Sequence, residues 1–109
     1  MTNLSIIRGD YTKLRLTVTS DGSAFDISST TVSFTVKENV SDAMADALIS
    51  KTVTSHVNAS GGITDIVLLP ADTDLGLKSY HYDCQVQTVD NKIYTVVRGL
   101  ITVEYDITG

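Results

Sequence analysis

The alternation in "TKLRLTVTS", residues 12–20, limits what this chain can become more than any other feature. Leu14, Leu16 and Val18 fall at every second position, with Lys13, Arg15, Thr17 and Thr19 between them. Successive side chains of an extended strand point to opposite faces, so this stretch buries one face and wets the other. The pattern returns in "TVSFTVK", with Val32, Phe34 and Val36 predicted inward. It returns again in "YHYDCQVQTV", where Tyr80, Tyr82, Cys84 and Val86 share a face opposite His81, Asp83, Gln85 and Gln87. Thr, Val and Ile dominate these runs, and such β-branched side chains suit a pleated, half-buried surface.

Turn signals divide the runs. Ser20-Asp21-Gly22-Ser23 predicts a tight hairpin, because Asp-Gly supplies the positive φ such turns need. "AFDIS" gives a short piece holding Phe25 and Ile27, "NASGG" a turn before "ITDIVLL", and Asp90-Asn91-Lys92 the loop of the last hairpin. The only proline, Pro70, ends a strand, where a missing N–H does no harm. "PADTDLGL" predicts a single helical turn crossing between layers, and Gly99 a bulge or close approach. "ENVSDAMADALISK" is the least regular stretch and reads as an excursion between strands, a short helix from Ser41 or a long loop.

About seven short strands within 109 residues predict one domain, 1–109, all-β, an immunoglobulin-like antiparallel β-sandwich. Such sandwiches place a tyrosine after a crossover turn, its hydroxyl bonded back to the corner. Tyr80 and Tyr82 both fit that position. A chain of this length buries roughly two thirds of its unfolded surface, so a core forms without metal or disulfide. The single cysteine, Cys84, reads as a small buried hydrophobe.

Chemistry is sparse. His56 and His81 sit on different predicted strands without metal-ligand spacing, and His81 faces away from Cys84. No nucleophile elbow, zinc-binding helix motif or glycine-rich phosphate loop is present, so no catalytic residue, cofactor or metal is expected. Asp72-x-Asp74 is the nearest approach to a calcium loop, and it lacks the glycine and glutamate that follow in one. Net charge is −5, with 8 Lys and Arg scattered singly, which argues against nucleic acid and anionic membranes. The longest apolar run, Ile66-Val67-Leu68-Leu69, is far short of the roughly 20 residues of a membrane helix. No secretory signal is readable at the N-terminus, so synthesis in a cytoplasm is expected.

Arg8-Gly9-Asp10 spells the tripeptide that integrin-type adhesion receptors recognise. Its position, at the break between "LSII" and "YTKLRL", gives it a plainer task. Gly9 is free to take positive φ there, and Asp10 can bond nearby backbone. The tripeptide is expected to be a bend, with Gly9 and Asp10 structural and no integrin partner.

That bend begins a series of landmarks: "RGDYTKLRLTVTSDGSAFDIS", "TVSFTVK", "ALISKT", "LLPADTDLGLKSYHYDCQVQTVDNKIYTVVRG" and "ITVEYDITG". Together they resemble small immunoglobulin-like structural proteins of tailed bacteriophages and, more distantly, the N-terminal domain of the phage baseplate upper protein. The resemblance spans nearly the whole chain and rests on strand-and-turn pattern, with "DLGLKSY" departing from a shorter corner turn. It implies a non-enzymatic virion protein of the tail, baseplate or tail-fibre region. Such a protein would be made in the host cytoplasm, present in many symmetric copies, and held by contacts with other virion proteins.

On this reading the terminal strands and loops meet partners: Leu4 and Ile6, Asp90, Asn91 and Lys92, and Tyr105. Pairing of the terminal strands within the chain's own sheets is the plainer alternative. A capsid decoration protein fits the same pattern. A carbohydrate-binding module is disfavoured by the absence of Trp and 6% aromatic content, leaving Tyr11, Tyr94 and Tyr105 to offer.

Overall fold

A computed structural model of the chain describes residues 3–39 and 47–105, and every described element is a strand. In chain order they are β1 (Leu4–Ile7), β2 (Thr12–Thr17), β3 (Thr19–Ser20), β4 (Ser23–Ala24), β5 (Thr31–Lys37), β6 (Ile49–Val53), β7 (Ile63–Leu68), β8 (Ser79–Gln87) and β9 (Ile93–Glu104). Seven are substantial, and β3 and β4 are two-residue arms of one hairpin. The helix considered from Ser41 falls largely on residues outside those described.

One layer is a five-stranded sheet, ordered β1-β9-β8-β5-β6. The other is the antiparallel pair β2-β7. Two layers close over one core, a β-sandwich. Every pairing is antiparallel except β1 with β9, which run parallel from Leu4 opposite Ile101 to Ile7 opposite Glu104. Alternation alone does not distinguish the two directions, since side chains alternate identically in both.

The predicted facings hold. Val32, Phe34 and Val36 of β5 are buried, as are Tyr80, Tyr82, Cys84 and Val86 of β8. Leu14 and Leu16 of β2 are half-buried and pack on the same core, where Ile66 and Leu68 of β7 are fully enclosed. Phe34 is 1% exposed and meets Tyr82 at 5.8 Å between ring centroids. A smaller cluster of Val18, Ile27, Val32 and Val86 fills the end near the β3-β4 hairpin.

The turns follow their chemistry. Asp21 and Gly22 take φ of 52° and 79°, the paired positive values of a mirror-image two-residue hairpin. Thr73 N donates to Leu69 O (3.3 Å), giving the crossover one helical turn's bond without a helix. The bulge lies elsewhere than expected. Gly99 pairs regularly with Tyr82, and the register slips between Cys84 and Gln85, which face Val97 and Thr95. Val96 is therefore the extra residue. His56 also departs from expectation: β6 ends at Val53, leaving His56 in the loop before β7.

Candidate functional site

The Arg8-Gly9-Asp10 bend carries the chain from β1 in one layer to β2 in the other. Gly9 has φ of +80°, and a Cβ there would touch nothing, so the backbone angle alone demands glycine. Asp10 N donates to Ile7 O (3.2 Å), and Arg8 N donates to Glu104 O (3.1 Å), prolonging the parallel pairing. The Asp10 carbonyl accepts from the hydroxyl of buried Thr73 (2.9 Å), tying the bend to the crossover. Asp10 thus works here through its main chain.

The two tyrosines divide the tasks that sequence left open between them. Tyr80 Oη donates to Gly76 O (2.8 Å), closing the corner after the crossover turn. Tyr82, two residues on, packs on Phe34, and its phenol pKa is raised by burial.

The residues expected to meet partners separate in space. Ile6 is 3% exposed and belongs to the core, while Leu4 is half-buried against it, because β1 pairs with β9 of the same chain. Ile6 is committed inward. Asp90, Asn91 and Lys92 are exposed at the tip of the β8-β9 hairpin. Asn91 takes φ of 63°, and Thr88 N donates to Lys92 O (2.9 Å). The Thr88 hydroxyl donates to the Asp90 carboxylate and holds its pKa below the usual range. Tyr105, 70% exposed, follows β9 at the opposite end.

Exposed apolar side chains gather at both ends of the sandwich. Strand direction places Val57, Val89, Ile93 and Tyr94 at the hairpin end, where Tyr94 meets Phe25 edge-on at 6.4 Å. Tyr11, Leu48, Leu69, Leu77 and Tyr105 lie at the end with the Arg8-Gly9-Asp10 bend. The outer sheet faces are largely polar: Ser33, Thr35, Gln85 and Asp83 on one layer, Arg15 and Asp65 on the other, where Val67 is the exposed apolar exception. Arg15 Nε and Nη2 donate to the two Asp65 oxygens at 2.9 and 3.0 Å, which lowers the carboxyl pKa.

Among the described residues, Cys84, His81 and His56 do not converge. Cys84 is buried inward, and burial, aided by nearby Asp83, pushes its thiol up to about 12, so it stays protonated at neutral pH. His81 is exposed on the other face of the same strand. His56 is a bridging residue that alternation did not reveal. Its Nε2 lies 3.0 Å from Thr30 O and its Nδ1 2.9 Å from Thr64 Oγ1. A carbonyl only accepts, so Nε2 carries a proton and donates to Thr30 O, while Nδ1 and the Thr64 hydroxyl share the second hydrogen bond. Thr64 and Thr30 are both buried, and the imidazole satisfies them.

Asp72, half of the weighed calcium pair, is otherwise engaged. Its Oδ2 accepts from Leu69 N (2.8 Å) and meets Lys51 Nζ (2.8 Å). The Lys51 contact, then the amide, draw its pKa down. Among the described residues, no group of three or more His, Cys, Asp or Glu is gathered to hold a metal.

Lys51 lies opposite Phe34, on the inward face of β6, and reaches across to the β7 layer. Its signal was present in the sequence: it occupies an apolar position in Ile49-x-Lys51-x-Val53. No protein-family model matches the chain, and no curated protein is significantly similar to it.

Proposed function

We propose that this chain is a non-enzymatic structural module of a bacteriophage virion, an adaptor of the tail, baseplate or tail-fibre region. The observation that carries this reading is the distribution of exposed apolar side chains. Among the described residues all but Val67, on the outer face of β7, crown the two ends of a sandwich whose sheet faces are otherwise largely polar. A body with two sticky ends and wet sides suits a link between successive partners, since scattered single apolar residues need no explanation but grouped ones do. The landmark pattern of strands and turns from Arg8 to Gly109 supplies the bacteriophage context.

In this role the protein acts through protein–protein contacts, in many symmetric copies, with Asp90, Asn91, Lys92 and Tyr105 exposed at the two ends to meet neighbours. Arg8-Gly9-Asp10 serves as a bend and takes no integrin. Cys84, buried and protonated, contributes packing. The test is gold-labelled antibody against this chain on purified particles, with mass spectrometry for copy number. Labelling of the tail or baseplate is expected. Labelling confined to heads assigns a capsid decoration protein instead, and absence from particles overturns the reading.

A further inference from the structure

The two long sides of the sandwich are finished differently. β7 runs near β6, and Lys51 of the β6 edge pairs with Asp72 just past β7, spanning that side from layer to layer. The outward edge of β7 is also stopped at both ends. Asn58 and Ile63 exchange main-chain bonds at 3.0 and 2.9 Å, and the Asp72 carboxylate takes Leu69 N. An inward charge and short capped edges are how sheets refuse a foreign strand.

The opposite side, between β1 and β2, carries none of these. Val18 N donates to Gly62 O (2.8 Å). Main-chain groups alternate sides along an antiparallel ladder, so Leu16, Leu14 and Thr12 turn theirs toward β7. Thr17, Arg15 and Lys13 therefore turn theirs outward, and among the described residues no main-chain bond occupies them. Beside this edge, the side chains of Leu4, Leu14 and Leu16 are half-buried, packed on the core but incompletely covered. Lys13 and Arg15 point outward on the same strand.

We infer that the free edge of β2 is a docking site for an extended segment of another virion protein, one in which apolar residues alternate with acidic ones. The segment's main chain bonds to Lys13, Arg15 and Thr17. Its apolar side chains turn inward to cover Leu14, Leu16 and Leu4, while a carboxylate lies beside Lys13, the Arg15 guanidinium being already paired with Asp65 of β7. Strand addition draws its strength from main-chain bonds and its selectivity from alternate side chains. Charge complementarity selects the occupant: Lys13 is exposed and makes no salt bridge among the described residues, so an acidic segment matches it, whereas a second β2 brings a lysine and no carboxylate. The inference rests on the reading of the chain as an assembly module and names the surface through which it binds.

The test is amide hydrogen exchange on the full chain, with a synthetic peptide Thr-Val-Glu-Val-Asp-Val-Thr as probe. Exchange at Lys13, Arg15 and Thr17 slows at least about tenfold, with Asp65 and Val67 unchanged. A peptide with lysines in place of its acids gives no slowing. Lys13→Pro removes one outward N–H without touching the β2-β7 ladder and abolishes the effect. Lys13→Glu, which keeps the backbone intact, weakens the response to the acidic peptide. No slowing with the acidic peptide, equal slowing with the basic one, or equal slowing on β7 overturns the proposal. So does concentration-dependent slowing without peptide, which assigns the edge to a second copy. A chain found in particles whose β2 amides never respond keeps the module reading and loses this edge.

Discussion

The β6/β7 side and the β1/β2 side enclose the same core and solve its edges in opposite ways. On the first, a lysine that alternation assigns inward reaches across to a carboxylate that also caps Leu69 N. On the second, three leucines stand at the mouth with no inward charge between them. The difference teaches that burial and closure are separate problems. Phe34, Ile66 and Leu68 are enclosed whichever side is considered. What distinguishes the sides is the fate of main-chain groups, which period-two patterning leaves unspecified.

The comparison can be broken from the centre outward. Phe34→Ala removes the largest enclosed side chain beneath both sides and should cost about 3–5 kcal/mol of stability. A denaturant midpoint close to the parent's would mean that the layers do not meet at Phe34. Gly62→Ala comes next. Its Cβ would stand 2.4 Å from Val18 O at φ of +75°, so β2 and β7 must part where they join. A loss of at least about 2 kcal/mol is expected, read in the same unfolding experiment.

Asp72→Asn addresses the closed side alone. It keeps an acceptor for Leu69 N, loses the ion pair with Lys51, and should cost about 0.5–1 kcal/mol at pH 7. The sign with pH follows from the lowered carboxyl. Its folded pKa lies below the unfolded value, so its contribution is complete above about pH 4 and fades as pH falls through the folded pKa. The gap between parent and Asp72→Asn should therefore narrow in acid. A gap that widens would contradict the assignment. Arg8→Ala, on the other side, removes a side chain that makes no hydrogen bond or ion pair among the described residues and should change stability by less than about 0.5 kcal/mol. A large loss there would give the tripeptide more than a main-chain role.

Much of the fold was legible because half-buried strands write their facing directly into sequence. Leu14, Phe34, Tyr82 and Val86 all fall where alternation put them. What escaped depends on contacts distant in the chain. Tyr80 and Tyr82 share a face and a neighbourhood, and only the path of residues 70–78 brings Gly76 O to one of them. The bulge at Val96 arises from register between β8 and β9, so a glycine three residues away was a misleading marker. His56 looked like a strand residue because Val53 and Val57 continue the alternation, yet the chain leaves the sheet at Val53. Ile6 was a candidate contact until its partner strand placed it in the core. Of the candidate surfaces, the hairpin loop 90–92 was readable from turn chemistry. The open edge of β2 was not, because main-chain satisfaction leaves no mark in composition.

The asymmetry between the two sides is tested most directly by native-state hydrogen exchange on the isolated chain. Along β2, the amides of Leu14 and Leu16 face β7 and should exchange slowly, while those of Lys13, Arg15 and Thr17 should exchange faster by at least about tenfold. Uniform protection along all five residues would mean that the edge is already paired, and that the two sides of the sandwich do not differ as described.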